Sequence, residues 1–132
     1  MSCTPYMGGG FGHFYAYAPM KIEYCIDRFT MEVKRQLDAL DRHLAHHEYM
    51  ADEYSIADMA IWPWYGAGLA GGIYGGAKFL DLDSYKNLSR WRAQIAARPA
   101  VKRGSVVNVF SETQKGLRDR HDASDFDKLG PL

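Results

Sequence analysis

Apolar residues recur at Ile22, Ile26, Phe29, Val33, Leu37, Leu40 and Leu44, at steps of three or four. That is the period of one face of an α-helix. The positions between them carry Lys21, Glu23, Asp27, Lys34, Arg35, Asp38 and Arg42, so the pattern predicts a long amphipathic helix of about seven turns. Pro19 suits its first turn, because proline has no N–H to lose there and its φ is preset. The helix is expected to end near His47, and Asp38 and Arg42 are spaced to pair across one turn. Ahead of it, residues 1–18 mix Gly8, Gly9, Gly10 and Gly12 with Phe11, His13, Phe14, Tyr15 and Tyr17, which reads as a loop or a frayed helical end.

The next helix start is marked by Tyr54-Ser55-Ile56-Ala57-Asp58-Met59. Ser55 can accept from the N–H of Asp58 while the Asp58 carboxylate reaches back to the N–H of Ser55, which is a capping box; Tyr54 and Met59 are spaced as a hydrophobic staple. Pro63 removes one intrahelical bond and is expected to bend this helix. A third helix is predicted from Ser84 to Arg98, capped by Asp83 or Ser84, with Tyr85, Leu88, Trp91 and Ile95 on one face. Pro99 breaks it and can open another turn that Gly104 ends. Residues 105–110 read as a helical extension or a short strand, and residues 111–132 as a polar tail. With no strand–helix–strand unit in sight, the expected class is all-α.

Residues 59–77 carry no charge over nineteen positions, a length that meets the threshold for a membrane-spanning helix. Their content points the other way, to a buried helix and a Gly-rich connection, because Gly and aromatics displace Leu, Ile and Val. The 132 residues suit one domain, and sixteen basic residues balance sixteen acidic ones, so no global charge draws the chain to nucleic acid or an anionic membrane. Two cysteines are too few for a secreted disulfide scaffold, and no signal peptide is visible at the start; a reducing, cytoplasmic location is the expectation.

Several groupings have the letters of chemistry. Gly66-Ala67-Gly68-Leu69-Ala70-Gly71 matches G-x-G-x-x-G, but the dinucleotide mechanism needs a strand before it and a helix after it; close chain approach at a helix end fits better. His43, His46 and His47 could share a metal, yet a third ligand is not placed, and a solvated helix end is the simpler reading. Lys86, Arg90, Arg92, Arg98, Lys102 and Arg103 fall in a span without acids and read as a solvated face or an interface. His121, Asp122, Ser124 and Asp125 lack the rigid frame that a hydrolase triad requires. Cys25 falls on the apolar stripe and reads as a small core residue. Arg28 flanks that stripe: it can pair with Glu32 one turn on, or its fork can grip a carboxylate. No residue is assigned a catalytic or metal-binding role.

The capping-box segment Tyr-Ser-Ile-Ala-Asp-Met-Ala (54–60) resembles the helix start of the C-terminal domain of cytosolic glutathione transferases. Gly8–Pro19, Asp-Arg-Phe-Thr-Met-Glu (27–32), Ala57–Trp64, Arg98–Gly104 and Arg120–Phe126 are similar to the nu-class, YghU-type branch of that superfamily. The resemblance covers nearly the whole chain. It implies a helical bundle of the glutathione transferase C-terminal type over residues 1–110, followed by the tail 111–132, with no thioredoxin-like segment in these residues. Members of that branch are dimeric, glutathione-dependent disulfide-bond oxidoreductases with modest transferase activity. The resemblance therefore implies glutathione as cofactor, a homodimer, and Arg28 as a glutathione contact, with Phe11 to Tyr17 lining an acceptor pocket. It also implies that a thioredoxin-like domain outside these residues holds the glutathione thiol, so little activity is expected of this part alone. A non-catalytic interaction or dimerisation module is the alternative.

Overall fold

The computed structural model describes residues 4–70, 72–106 and 124. The chain divides into two compact units, Met1–Arg92 and Ala93–Leu132. Among the described residues the regular structure is helical, and the one β-type pairing is an isolated bridge between Ala51 and Glu53. The fold is all-α, as the periodicity predicts. Residues 107–110 of the 105–110 segment, nearly all of the 111–132 tail and the residues around His121 lie outside the described residues; Ser124 is exposed.

Thr4–Tyr17 forms a wide helix with hydrogen bonds running five residues back, as where the N–H of Ala18 meets the carbonyl of His13 at 2.7 Å. Of the two readings of this segment, a loop or a frayed helical end, the helical one is nearer, and the helix is regular over fourteen residues. The glycines allow it: a Cβ on Gly10 would lie 2.1 Å from the Phe29 ring, and one on Gly12 would lie 2.4 Å from the Tyr74 ring. Aromatic rings therefore lie against bare backbone, and Met7 and Phe11 are fully buried.

Helix α1, Glu23–Leu44, is the long amphipathic element. It starts after Ile22, whose backbone is extended and whose carbonyl accepts from Cys25 and Ile26. Pro19 thus lies in the bend between the two helices rather than in the first turn of α1, where its fixed φ is equally at home. The helix ends at Leu44, three residues short of His47. The reason lies on another element: the Arg90 guanidinium donates to the carbonyls of Leu44 (2.8 Å), His47 (3.0 Å) and Glu48 (3.3 Å). Those carbonyls are satisfied without a further turn. Arg42 donates to the backbone carbonyl of Asp38 at 3.3 Å, in place of the carboxylate expected from the spacing. Along the apolar stripe Val33, Leu37 and Leu44 are buried, whereas Ile26, Phe29 and Leu40 are half-buried and Ile22 is exposed.

Helix α2, Ile56–Ile61, has both halves of the capping box. At Trp62 the chain widens into a second five-residue-back segment, Trp62–Gly68, with Pro63 in its first turn. Widening relieves the clash between a proline ring and the carbonyl four residues before it, and needs no N–H at that position. Gly66 and Gly68 are buried here. A Cβ on Gly68 would meet the Pro63 carbonyl oxygen at 2.7 Å, so the G-x-G pattern serves close packing. No helix among the described residues is long and apolar enough to cross a membrane. The connection that follows turns through positive φ at Gly72, Tyr74 and Gly75. Tyr74 is an unusual occupant of that region; its ring meets Phe11 and Tyr17 edge-on.

Helix α3, Lys86–Ala96, is shorter at both ends than the pattern suggests. Its first turn is capped by neither Asp83 nor Ser84. Asp41 of α1 accepts from the Leu88 N–H at 2.8 Å and from the Asn87 amide at 3.1 Å, doing the work of an N-cap from a distance. Ser84 turns its hydroxyl to the carbonyl of Asp81. Helix α4, Pro99–Ser105, opens at Pro99 after the extended Arg98 and runs one residue past Gly104.

Candidate functional site

Two features of the first unit carry the chemistry that the sequence offers. One is the charged face of α1. Arg28, Glu32 and Arg35 follow at spacings of four and three, so the helix brings them to one side. Arg28 Nη1 lies 3.4 Å from Glu32 Oε2, and Arg35 Nε lies 3.2 Å from Glu32 Oε1, with a second bond from Arg35 Nη2. The Glu32 side chain is 11% exposed, while those of Arg28 and Arg35 are 52% and 65% exposed. The hydrogen bond from Arg35 holds the Glu32 carboxyl below its ordinary value; burial opposes this, and Gln36 and Arg28 add to it. The same bond raises the Arg35 guanidinium.

The other feature is aromatic. Phe11 stacks on Tyr15 at 4.8 Å, and Phe79 stacks on Tyr15 at 4.9 Å. Phe14 stacks on Phe29 at 5.5 Å. Phe29 follows Arg28 in the chain, so this stack fastens the N-terminal helix to the turn of α1 that carries the guanidinium. Phe11 is buried, Tyr15 half-buried, and Tyr17 and Phe79 are 71% and 44% exposed. Phe11 is thus core, while Tyr15, Tyr17 and Phe79 leave part of their ring surface open to a flat apolar group.

The other sequence candidates go elsewhere. The His43 and His47 rings stack at 4.3 Å; His47 Nδ1 lies 2.6 Å from Asp52, and His43 Nε2 lies 3.2 Å from the Met50 carbonyl. Among the described residues no three His, Cys, Asp or Glu side chains are grouped to hold a metal. Cys25 is half-buried with a free thiol. Arg90 of the basic span is occupied with the end of α1.

Besides Glu32, the described residues include a second buried acid. Asp58 is fully buried and accepts four hydrogen bonds: from the Met50 N–H (3.1 Å), the Ser55 N–H (3.0 Å), the Ser55 hydroxyl (3.3 Å) and the Trp91 indole (2.7 Å). The capping box was legible; the indole, thirty-three residues away, gave no signal. The satisfied donors make this a structural knot and leave no lone pair aimed at a ligand.

Residues 23–94 match the family model for the glutathione S-transferase C-terminal domain. The chain is 59% identical to the disulfide-bond oxidoreductase YghU of Escherichia coli over 94% of its own length and 44% of that protein. It is 36% identical to the disulfide-bond oxidoreductase YfcG of the same organism, over 67% of this chain and 39% of that one. It therefore spans less than half the length of these curated relatives. Among solved structures it is similar to a glutathione transferase YghU from Streptococcus pneumoniae complexed with glutathione, with a TM-score of 0.74 and 62% identity over 77% of this chain and 40% of that chain. A Pseudomonas putida glutathione transferase with glutathione disulfide bound aligns with a TM-score of 0.66 and 36% identity, over 76% of this chain and 46% of that one.

Proposed function

The chain belongs to the glutathione S-transferase C-terminal domain family, and from that premise we propose that it is the helical half of a glutathione-dependent disulfide-bond oxidoreductase. The observation that carries this reading is the half-exposed guanidinium of Arg28 on α1, one residue from the Phe29 ring on which the aromatic N-terminal helix stacks. Glu32 engages Nη1 of Arg28, so Nε and Nη2, which have no other partner among the described residues, remain for a planar anion. That donor set fits a carboxylate of glutathione. When bound, glutathione supplies the thiolate that attacks a disulfide sulfur. Arg28 then fixes the peptide end of the ligand, and Tyr15, Tyr17 and Phe79 form one wall for the group carried by the disulfide.

The assignment of residues 1–110 to this domain and 111–132 to a polar tail is part of the proposal, as are a homodimer and a cytoplasmic setting. The low cysteine count supports the last. The chain spans less than half the length of its curated relatives, and on this proposal the groups that activate the glutathione thiol are not among its described residues; the purified chain should turn over a small disulfide with glutathione no faster than the uncatalysed exchange. Calorimetry at millimolar glutathione should detect weak binding that Arg28→Ala abolishes. Turnover at the rate of an intact enzyme, or binding indifferent to Arg28, contradicts the reading.

A second reading has its own observation. Tyr17, Met20, Tyr24 and Met31 are 66–78% exposed near the start of α1, more large apolar surface than an isolated helix face usually shows. A non-catalytic interaction or dimerisation module would use that surface. It predicts association without glutathione binding, and the same Arg28→Ala calorimetry separates the two.

A further inference from the structure

Glu32 is a carboxylate in an unusual place for a surface pair. An exposed Arg–Glu pair on a helix contributes little, and an Arg on the N-terminal side is the less favoured order. Such a pair gives no reason to bury the acid. Yet the Glu32 side chain is 11% exposed and is gripped from its C-terminal side by two nitrogens of Arg35. Those bonds fix its rotamer and keep it ionised. Its other oxygen faces Arg28 Nη1 at 3.4 Å. A long, half-exposed arginine is otherwise free to sample many rotamers, and ordering it on binding costs affinity.

We propose that Glu32 is a positioning residue: anchored by Arg35, it holds Nη1 of Arg28 so that the remaining edge of the guanidinium is presented to a carboxylate of glutathione. This rests on the assignment of Arg28 as the glutathione contact and adds to it an arm of two residues. Glu32 touches no ligand and acts only through Arg28.

The sign of one substitution tests this. Glu32→Gln removes a negative charge next to the anion site, so simple electrostatics predicts tighter glutathione binding by the 132-residue chain. Positioning predicts the reverse: roughly two- to tenfold weaker binding, the span that ordering one long side chain costs. Glu32→Asp keeps the charge but withdraws it by one methylene, and it weakens binding as well; charge alone would leave it unchanged. It also keeps the proposal testable if the Gln variant fails to fold. Nitrogen-detected NMR of the Arg28 guanidinium reports the hold without any ligand: its rotation is slowed in the wild type and freed in both variants. Free rotation in the wild type, or binding in either variant that is equal or tighter, overturns the proposal. Loss of glutathione binding in the wild type itself overturns the Arg28 assignment and this inference with it, whereas wild-type binding that is lost in Arg28→Ala but kept in both Glu32 variants overturns this inference alone.

Discussion

Asp58 shows how much one side chain can carry. Three backbone or indole N–H groups and a hydroxyl converge on its two fully buried oxygens. Asp58→Ala strands those donors, and a buried donor left unpaired costs about 1–3 kcal/mol; chemical denaturation should show a loss of at least that order. Trp91→Phe removes only the indole donor, keeps the ring, and should cost less. At Glu32 the relevant variable is pH. Its folded carboxyl lies below the ordinary value of 4.5, mainly through Arg35. A depressed acid stabilises the fold above its unfolded value and loses that contribution as pH falls through the folded one. Stability measured from neutral pH downward should therefore fall below pH 4.5, and Glu32→Gln should flatten that part of the acid limb. A steeper limb in the variant would contradict the sign.

At the scale of elements, the helices are bounded by one another. Asp41 of α1 caps the start of α3, and Arg90 of α3 caps the end of α1. Each helix thus supplies the polar group that the other's terminus lacks. Asp41→Ala should destabilise by about 0.5–2 kcal/mol, the value of a lost N-cap, and Ser55→Ala by a similar amount at α2. A double variant should show coupling beyond additivity only if the two caps share partners, and here they do not. Glycine works at the same scale. Gly68→Ala places a Cβ 2.7 Å from backbone oxygen, which cannot swing aside as a side chain would; overpacking of about 1–3 kcal/mol is expected, read as a lower thermal midpoint.

At the scale of the molecule, the burial of α1 is graded. Its buried positions run from Thr30 to Leu44, while Tyr24, Met31 and the preceding Met20 are exposed. The chain spans 44% of one relative's length and 39% of another's, and the proposed homodimer is one way to cover this surface. Sedimentation of the purified chain should show concentration-dependent association, and Tyr24→Lys with Met31→Lys should reduce it. A monomer at every concentration would mean that the exposed side chains need no cover.

The residues that determine local structure were legible from the amino-acid order. The three-or-four step of α1, the Ser55–Asp58 box, the stop at Pro99 and the Arg28–Glu32 spacing all act between residues within one or two turns, so their geometry is set before the chain folds back on itself. The motif resemblance to glutathione transferases came from the same linear record. What tertiary structure alone decided joins distant positions: Asp41 to Leu88, Leu44 to Arg90 and Asp58 to Trp91 are 47, 46 and 33 residues apart. Those bonds moved the end of α1 and the cap of α3 away from where the periodicity put them. The wide N-terminal helix belongs with them, because its glycines matter only when the rings of Phe29 and Tyr74 arrive against the bare backbone. A terminus or a glycine is satisfied by whatever the fold brings to it, and no local pattern specifies what that will be.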